Sequence, residues 1–346
     1  MSQSKTINRQ IQLASRPSGL PVSHNFAIIH TEIPKPGAGE VLLRCVYLSL
    51  DPYMRGRMND AKSYAPPVQI GEVMVAGAVC RVEESKLQGF VKGDWVLAYD
   101  GWQDYSINDG SRLLKIDSHI PHPSYALGVL GMPGLTAYMG LLDIGQPKAG
   151  ETLVVAAATG AVGSVVGQMA KLYGCKVIGI AGNSEKCQYA KNTLGFDHCI
   201  DHTADDFIAQ LSDACSDGID VYFENVGGKV FDAVLPLLNP CARIPVCGLI
   251  SQYNATQLPQ GPDRMFSLMG NLLIKRIRMQ GFIVFDDYGH RYAEFAEQMV
   301  EWVGDAKILY KEDRVEGLEN APDAFIGLLQ GKNFGKVVVR VGPDDN

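Results

Sequence analysis

The sequence has no long hydrophobic run and no excess of positive charge. Its 346 residues carry 31 Lys and Arg against 38 Asp and Glu, which gives a formal net charge of −7. A mildly acidic chain has no overall field that would attract nucleic acid or anionic lipid. The most apolar stretch, residues 153–170, is interrupted by glycine and polar residues, whereas a membrane helix needs about 20 predominantly apolar residues. These features argue against a membrane span and against non-specific polyanion binding.

The sequence also lacks a Cys-x-x-Cys pair, and its N-terminus has no apolar run of the kind found in signal peptides. Several cysteines lie in apolar stretches. Together these features predict reduced, mostly buried thiols and a cytoplasmic location. The eight cysteines are Cys45, Cys80, Cys175, Cys187, Cys199, Cys215, Cys241 and Cys247.

Few residues are spaced to bind a metal ion. Tetrahedral zinc needs three or four Cys, His or carboxylate ligands at suitable spacing. The suggestive cluster is Cys199 and His202, with His198 nearby, and it lacks further spaced ligands. We therefore expect no metal. The seven histidines are His24, His30, His119, His122, His198, His202 and His290.

Residues 1–125 hold short β-like runs separated by turn residues. At roughly 100–200 residues per domain, the chain length suggests about two domains. Short strands punctuated by Gly and Pro are typical of a barrel or sandwich. The tail at 333–341 is another predicted strand, so we assign residues 315–346 to this first, β-rich domain. The other predicted strands lie at 40–47, 73–82, 95–99 and 113–116.

Residues 126–314 are predicted to form a second domain with a different pattern. From about Glu151, apolar strand runs alternate with helical segments, which indicates a parallel sheet covered on both faces. Right-handed crossovers then give a doubly wound α/β fold of the Rossmann type. The predicted strands are 153–158, 175–180, 198–200, 220–225 and 242–247, and the predicted helices are 162–173, 184–194, 205–215 and 229–238.

The strongest chemical signal is the glycine turn at 156–163, A-A-A-T-G-A-V-G. It follows a predicted strand and opens a predicted helix, the context in which such a turn binds a dinucleotide. Gly160 would let backbone amides approach a pyrophosphate, and Gly163 would let the helix pack on the strand. Ala158 stands where the common pattern has its first glycine. The alternative is a tight strand-to-helix turn without a ligand.

The end of the second strand indicates which dinucleotide is bound. An NAD site usually places an acidic side chain there to hold the ribose 2′-hydroxyl. Here the strand ends at neutral Asn183 and Ser184, and Lys186 follows one turn into the helix, where Glu185 would point elsewhere. A lysine attracts the 2′-phosphate of NADP(H), so we favour that cofactor. In the alternative interpretation Lys186 is a solvated surface residue.

Tyrosines in loop segments could replace a metal as charge stabilisers. Hydride transfer to the β-carbon of an α,β-unsaturated ketone develops negative charge on the enone oxygen, and hydroxyl donors can stabilise it. Tyr253 follows an apolar strand, where ligands bind in doubly wound folds. Tyr53, Arg55 and Tyr64 lie in Pro-containing loops and are expected to line the substrate pocket. Tyr253 and Tyr64 are our candidate catalytic residues, beside the cofactor's own ribose hydroxyl.

The chain resembles the zinc-free prostaglandin and leukotriene reductase branch of the medium-chain dehydrogenase/reductase superfamily. It looks closest to the bacterial NADPH-dependent curcumin/dihydrocurcumin reductase family. The resemblance implies a Rossmann domain with a GroES-like β-barrel domain, reduction of conjugated C=C bonds in enones, and a homodimer. The matching stretches are 50–56, 131–138, 156–163, 222–228, 247–254, 280–284 and 331–336.

The resemblance also implies particular contacts with NADPH and the substrate. Where animal relatives carry a Tyr near the 2′-phosphate, this chain has His202, which could make NADPH affinity pH-dependent. The expected pyrophosphate contacts are Thr159, Gly160, Ala161, Val162 and Gly163. Those toward the ribose, adenine and 2′-phosphate are Asn183, Lys186, His202 and Asn225. Those at the nicotinamide are Cys247, Gly248, Leu249, Ile250, Ser251, Gln252, Tyr253, Phe282, Ile283, Val284, Asn333 and Gly335. Met132 and Phe282 complete the expected substrate pocket.

Two other functions are compatible with these residues. One is a quinone oxidoreductase of the same superfamily, which uses the same NADPH pocket and a different acceptor. The other is an NADPH-binding sensor that kept the fold and lost the chemistry, because fold alone does not establish activity.

Overall fold

The structure, a computed structural model, describes residues 7–117, 120–257 and 263–344. The chain divides into two units, Met1–Gly128 with Glu312–Asn346, and Val129–Lys311. The strands in chain order are β1 (Ile7–Leu13), β2 (Phe26–Glu32), β3 (Val41–Ser49), β4 (Ala78–Ser85), β5 (Trp95–Ala98), β6 (Tyr105–Asn108), β7 (Leu114–Lys115), β8 (Thr152–Ala156), β9 (Lys176–Ala181), β10 (His198–Asp201), β11 (Ile219–Phe223), β12 (Leu238–Val246), β13 (Arg278–Gly281), β14 (Glu312–Glu316) and β15 (Lys336–Arg340). The α-helices are α1 (Met54–Arg57), α2 (Met132–Met139), α3 (Gly163–Leu172), α4 (Ser184–Asn192), α5 (Phe207–Ala214), α6 (Gly228–Val234), α7 (Met265–Lys275), α8 (Val284–Tyr288), α9 (Tyr292–Gly304) and α10 (Ala321–Leu329).

The first unit is built on a seven-stranded sheet in the order β14-β15-β3-β4-β5-β7, with β6 paired to β3. Only β14 and β15 run parallel among these described pairs. The apolar strand β3 is buried along almost its whole length, because neighbours cover both of its faces. The C-terminal strand β15 pairs with β3, so the tail lies in the same sheet as the N-terminal strands.

The second unit contains a parallel sheet in the order β10-β9-β8-β11-β12-β13. All five residues of β8 are buried, as expected for a central strand that helices cover on both faces. The strand order reverses at β8, so the carboxyl ends of β8 and β11 flank the point where doubly wound folds bind ligands. The predicted fold class is confirmed.

The predicted boundary between a helix at 229–238 and a strand at 242 is wrong. The helix α6 ends at Val234, a 3₁₀ turn follows at Leu235–Leu237, and β12 begins at Leu238. Pro236 lies in that turn, and proline cannot supply the N–H that a continuing helix needs.

The cysteines of the structure agree with the prediction of reduced, mostly buried thiols. All eight cysteines are free and five are buried. No helix of the described ranges is long and apolar enough to cross a membrane.

Candidate active site

The glycine turn joins β8 to α3 in the second unit. Ala157 adopts a left-handed conformation with φ of +52°, and its carbonyl oxygen accepts from the Gly160 N–H at 2.9 Å. A Cβ added at Gly163 would lie 2.3 Å from that same oxygen, whereas one at Gly160 would lie 3.2 Å from it. Only glycine therefore fits at position 163. The left-handed residue that tightens the turn is Ala157, which precedes Ala158, the residue at the position of the first glycine in the common pattern.

The carboxyl end of β9 leads directly into α4. Asn183 caps this helix, because its side-chain oxygen accepts a hydrogen bond from the backbone N–H of Lys186 at 2.8 Å. The cap fixes Lys186 in the first turn of α4. The neighbouring residue Gly182 is close to the ring of His202, whose Nε2 lies 3.5 Å from the position of an added Cβ.

A second lysine joins this group from α6. The Lys229 ammonium donates to the backbone carbonyl oxygen of His202 at 3.0 Å. Burial lowers the pKa of His202, the charges of Lys229 and Lys186 lower it further, and Asp201 opposes them. The His202 Nδ1 atom is buried and has no hydrogen-bond partner among the described residues. We call Lys186, His202 and Lys229 the cationic cluster.

Lys229 was not predicted from the sequence, because it lies 27 residues from His202. Only the crossover from β10 through α5 and β11 to α6 brings the two residues together. A local signal did exist, since Lys229 follows the Gly227-Gly228 turn that opens α6.

The segment 247–253 follows β12 and folds over the end of β11. The N–H groups of Cys247 and Gly248 donate to the Glu224 carbonyl oxygen at 2.9 and 3.2 Å. Ser251 donates through both its N–H and its hydroxyl to the Val226 carbonyl oxygen, at 3.1 and 2.6 Å. These bonds hold the predicted nicotinamide residues as one loop at the carboxyl edge of the sheet.

Tyr253 folds back over its own loop. Its hydroxyl accepts from the Leu249 N–H at 3.4 Å and lies 3.1 Å from the position that a Cβ on Gly248 would take. Gly248 therefore leaves room for this hydroxyl. The Tyr253 hydroxyl therefore lies over the loop that follows β12.

Glu224 is a fully buried acid beneath the same loop, and the sequence analysis did not single it out. Its carboxylate accepts from the Val226 and Gly227 N–H groups at 2.6 and 2.8 Å. Burial raises the pKa of Glu224, and those two hydrogen bonds oppose the rise. Burial, together with Glu224, also raises the pKa of the Cys247 thiol to about 12, which favours the protonated thiol at neutral pH.

Asn225 ties two neighbouring strands together at the same edge. Its side-chain amide donates to the Ala156 carbonyl oxygen at 2.8 Å, and its own carbonyl oxygen accepts from the Ile250 N–H at 3.2 Å. The predicted cofactor residue Asn225 therefore aligns the glycine turn with the 247–253 loop.

The predicted residues at 282–284 pack in the interior of the second unit. Phe282 and Val284 are buried and Ile283 is half-buried. The Phe282 ring would contact an added Cβ on Gly140 at 2.7 Å, so it packs directly against the helical turn that follows α2. Met132 begins α2 and is half-buried.

Tyrosines gather in the first unit around Tyr53, just before α1. Burial raises the pKa of Tyr53, and so do the nearby Asp51, Tyr99 and Tyr64. Tyr53 is therefore a neutral hydroxyl at physiological pH. Tyr64 is more than half exposed.

Arg55 is bound to its surroundings within the same unit. Its guanidinium donates to the Gly19 carbonyl oxygen at 2.8 Å and to the Asn59 side chain at 2.6 Å. These bonds join α1 to the Gly19 turn, so Arg55 supports the loop on which Tyr53 lies.

The described residues contain no group of three or more His, Cys, Asp or Glu side chains that could hold a metal ion. His119, one of the histidines considered above, lies outside the described residues.

Comparisons with known proteins cover almost the whole chain. Residues 9–116 match a family described as the N-terminal domain of oxidoreductase, and residues 161–304 match one described as zinc-binding dehydrogenase. The chain is 64% identical to NADPH-dependent curcumin reductase of Escherichia coli, with 100% of both chains covered. It is 44% identical to mouse prostaglandin reductase 1, over 93% of this chain and 95% of that protein.

Solved structures of similar proteins also match almost the whole length of this chain. Crystal structures of CurA from Vibrio vulnificus, alone and in complex with NADPH, share 70% of residues with this chain at a TM-score of 0.94. They cover 98% and 97% of this chain, and 100% and 99% of their own chains.

Proposed function

We propose that this chain, which belongs to the zinc-independent branch of the medium-chain dehydrogenase/reductase family, reduces the C=C bond of α,β-unsaturated ketones with NADPH. The observation that carries the proposal is the full-length identity of 64% with a curcumin reductase. The direct experiment mixes the protein with NADPH and a diaryl enone, follows the loss of NADPH absorbance, and identifies the product. A saturated ketone supports the proposal. Binding of NADPH without turnover across a panel of enones would favour a sensor.

The residues at the carboxyl edge of the parallel sheet fit a phosphorylated dinucleotide. The turn from Thr159 to Gly163 offers backbone amides at the N-terminus of α3, where a pyrophosphate is stabilised. The cationic cluster would hold the 2′-phosphate, because an anion can pair with both lysines and bond to the partnerless His202 nitrogen. Asn183 fixes the helix that carries Lys186. We assign Asn225 to the ribose, and the 247–253 and 282–284 segments with Asn333 to the nicotinamide.

In the proposed reaction, hydroxyl donors rather than a metal stabilise the negative charge that develops on the enone oxygen. NADPH, when bound, would supply a hydride to the β-carbon of the enone. The C=C electron pair then forms a double bond between the α-carbon and the carbonyl carbon, and the C=O π pair moves onto the oxygen, which gives an enolate. Tyr253 or Tyr64 donates a hydrogen bond to that oxygen, which lowers the energy of the developing charge. A proton from tyrosine or water at the α-carbon completes the saturated ketone. Tyr53, Arg55 and Met132 shape the substrate pocket.

The proposal also assigns a different binding role to each of the two units. We assign residues 1–125 with 315–346 to substrate binding and residues 126–314 to NADPH binding. This assignment is supported by the position of the glycine turn and the cationic cluster, which both lie in the second unit. The cytoplasmic location expected from the sequence stays a prediction.

We also propose a homodimer that uses the free edge of the parallel sheet. β13 is the last strand of the described sheet, and all four of its residues are exposed. Beside it, α7 exposes Phe266, Leu273 and Ile274 at 88%, 78% and 76%. A second copy of this chain supplies the matching partner, because an edge strand can pair with itself across a two-fold axis. Light scattering should give twice the chain mass for the natural protein and the monomer mass for Phe266→Glu.

A further inference from the structure

Lys336 is a charged residue in the interior of the first unit. It begins β15 and its side chain is 1% exposed. Its ammonium donates to the Ser49 hydroxyl at 2.6 Å, the Leu50 carbonyl oxygen at 2.8 Å and the Asp51 carboxylate at 2.6 Å. The Ser49 hydroxyl also donates to Asp51. All three ammonium hydrogens therefore have acceptors, and we call Ser49, Asp51 and Lys336 the Lys336 cluster.

The energetics of this cluster indicate a role other than stability. Burying an ammonium and a carboxylate removes both from water, and their attraction repays that cost only partly. Burial lowers the pKa of Lys336, while Asp51 raises it. A neutral pair of similar volume would serve the core as well. What a neutral pair cannot supply is the set of short, directional bonds that fixes the backbone on either side.

The Lys336 cluster joins two segments of the first unit that the proposed function uses. Asp51 lies two residues before Tyr53 and three before α1. Lys336 directly follows Gly335, whose carbonyl oxygen accepts from the Asn333 side chain at 2.8 Å. A backbone hydrogen bond joins the same two segments, since the Leu50 N–H donates to the Val337 carbonyl oxygen at 3.2 Å. The substrate segment at 51–55 and the nicotinamide segment at 333–335 are thus tied to the same ammonium.

We propose that Lys336 is a positioning residue, which holds the 51–55 and 333–335 segments in one arrangement for the enone and the nicotinamide. The inference rests on the proposed function, because that function assigns Tyr53 and Asn333 to the two ligands. Displacing a catalytic segment by about 1 Å can lower a rate about 100-fold, so a change in the Lys336 cluster should be visible in kinetics.

Two variants separate positioning from stability. Lys336→Met keeps the length of the side chain and leaves Asp51 as an unpaired buried charge, so the protein should become less stable. Asp51→Asn combined with Lys336→Met removes both charges, and its melting temperature should return toward that of the natural protein. Lys92→Met is the matched control, since Lys92 is an exposed lysine of the same unit.

The measurements are the thermal unfolding midpoint, the NADPH dissociation constant without enone, and kcat and KM for the enone. The proposal predicts that kcat/KM stays about 10- to 100-fold below the natural value in the double variant, although its stability has recovered. NADPH should bind more weakly in the same variant. The Lys92→Met control should match the natural protein in all four quantities.

Natural kinetics and natural NADPH affinity in the double variant would overturn the proposal and leave Lys336 with a structural role. If Lys336→Met does not fold, the double variant and Ser49→Ala, which keeps both charges, carry the test. A natural protein that binds NADPH and leaves every enone unreduced would contradict the proposed function. The NADPH dissociation constants of the variants would then still test the Lys336 cluster.

Discussion

The Lys229 ammonium is hydrogen-bonded to the backbone carbonyl oxygen of His202 at 3.0 Å. This bond brings the start of α6 to the end of β10, where Lys186 from α4 also acts on His202. Two lysines from different helices therefore flank one imidazole, which follows β10 and lies beside the end of β9, the second strand of the sheet along the chain. An acidic residue at that position would favour NADH, whereas this arrangement favours a cofactor with a 2′-phosphate.

Removing either lysine should weaken NADPH binding selectively. A hydrogen bond to a charged group contributes about 1.5–3 kcal/mol, so Lys186→Ala and Lys229→Ala should each raise the KM for NADPH about tenfold or more. The KM for NADH should change little, because NADH lacks the phosphate. Lys191→Ala, at the opposite end of α4, serves as the control. Equal effects on both cofactors would contradict the role of the cationic cluster.

NADPH affinity should depend on pH through His202. Burial and the two lysines lower the pKa of His202 in the free protein, and a bound phosphate dianion favours the charged imidazole. The His202 pKa is therefore higher in the complex, so binding takes up a proton and the affinity falls as pH rises through the window between the two pKa values.

Calorimetry with 2′,5′-ADP in buffers of different ionisation enthalpy measures this proton uptake. His202→Gln removes the imidazole and should reduce the number of protons taken up, which leaves the titration of the phosphate itself. The same proton number in both proteins would show that His202 does not respond to the phosphate.

The glycine turn should not tolerate a side chain at position 163. Its Cβ would lie 2.3 Å from a backbone oxygen that cannot move freely. Overpacking of this kind costs about 1–3 kcal/mol, so denaturant unfolding of Gly163→Ala should show a loss of that size, together with weaker NADPH binding. Gly304→Ala is the control, because an added Cβ there meets no atom within 4 Å. Natural stability and affinity in Gly163→Ala would contradict the described turn.

Tyr253 and Tyr64 are the proposed hydrogen-bond donors to the enolate oxygen. Loss of one preorganised donor costs about 100-fold or more in kcat, so Tyr253→Phe or Tyr64→Phe should lower kcat while NADPH affinity stays near its natural value. Tyr173→Phe, a surface tyrosine, should behave as the natural protein. If both active-site variants keep the natural kcat, the assignment of these hydroxyls is wrong.

Patterns in consecutive residues correctly predicted a helix and a strand of the second unit. The predicted helix at 162–173 is α3, Gly163–Leu172, and the predicted strand at 175–180 is β9, Lys176–Ala181. Apolar runs and glycine ends determine these elements, and both signals can be read from consecutive residues.

The residues that the sequence analysis missed depend on long-range packing. Lys229 lies 27 residues from His202 in the chain, and only the crossover brings the two residues together. Lys336 belongs to a residue type that is almost never fully buried without a partner, and its partners Ser49 and Asp51 lie more than 280 residues away. Glu224 directly follows the apolar strand β11. The hydrogen bonds that its carboxylate accepts from backbone N–H groups exist only in the folded loop.

The central claim is tested most directly with NADPH that carries deuterium at the transferable position of the nicotinamide ring. The protein, this cofactor and a diaryl enone are incubated, and the product is analysed by mass spectrometry and NMR. The account predicts a saturated ketone with one deuterium on the former β-carbon. An unsaturated alcohol with deuterium on the former carbonyl carbon would contradict it.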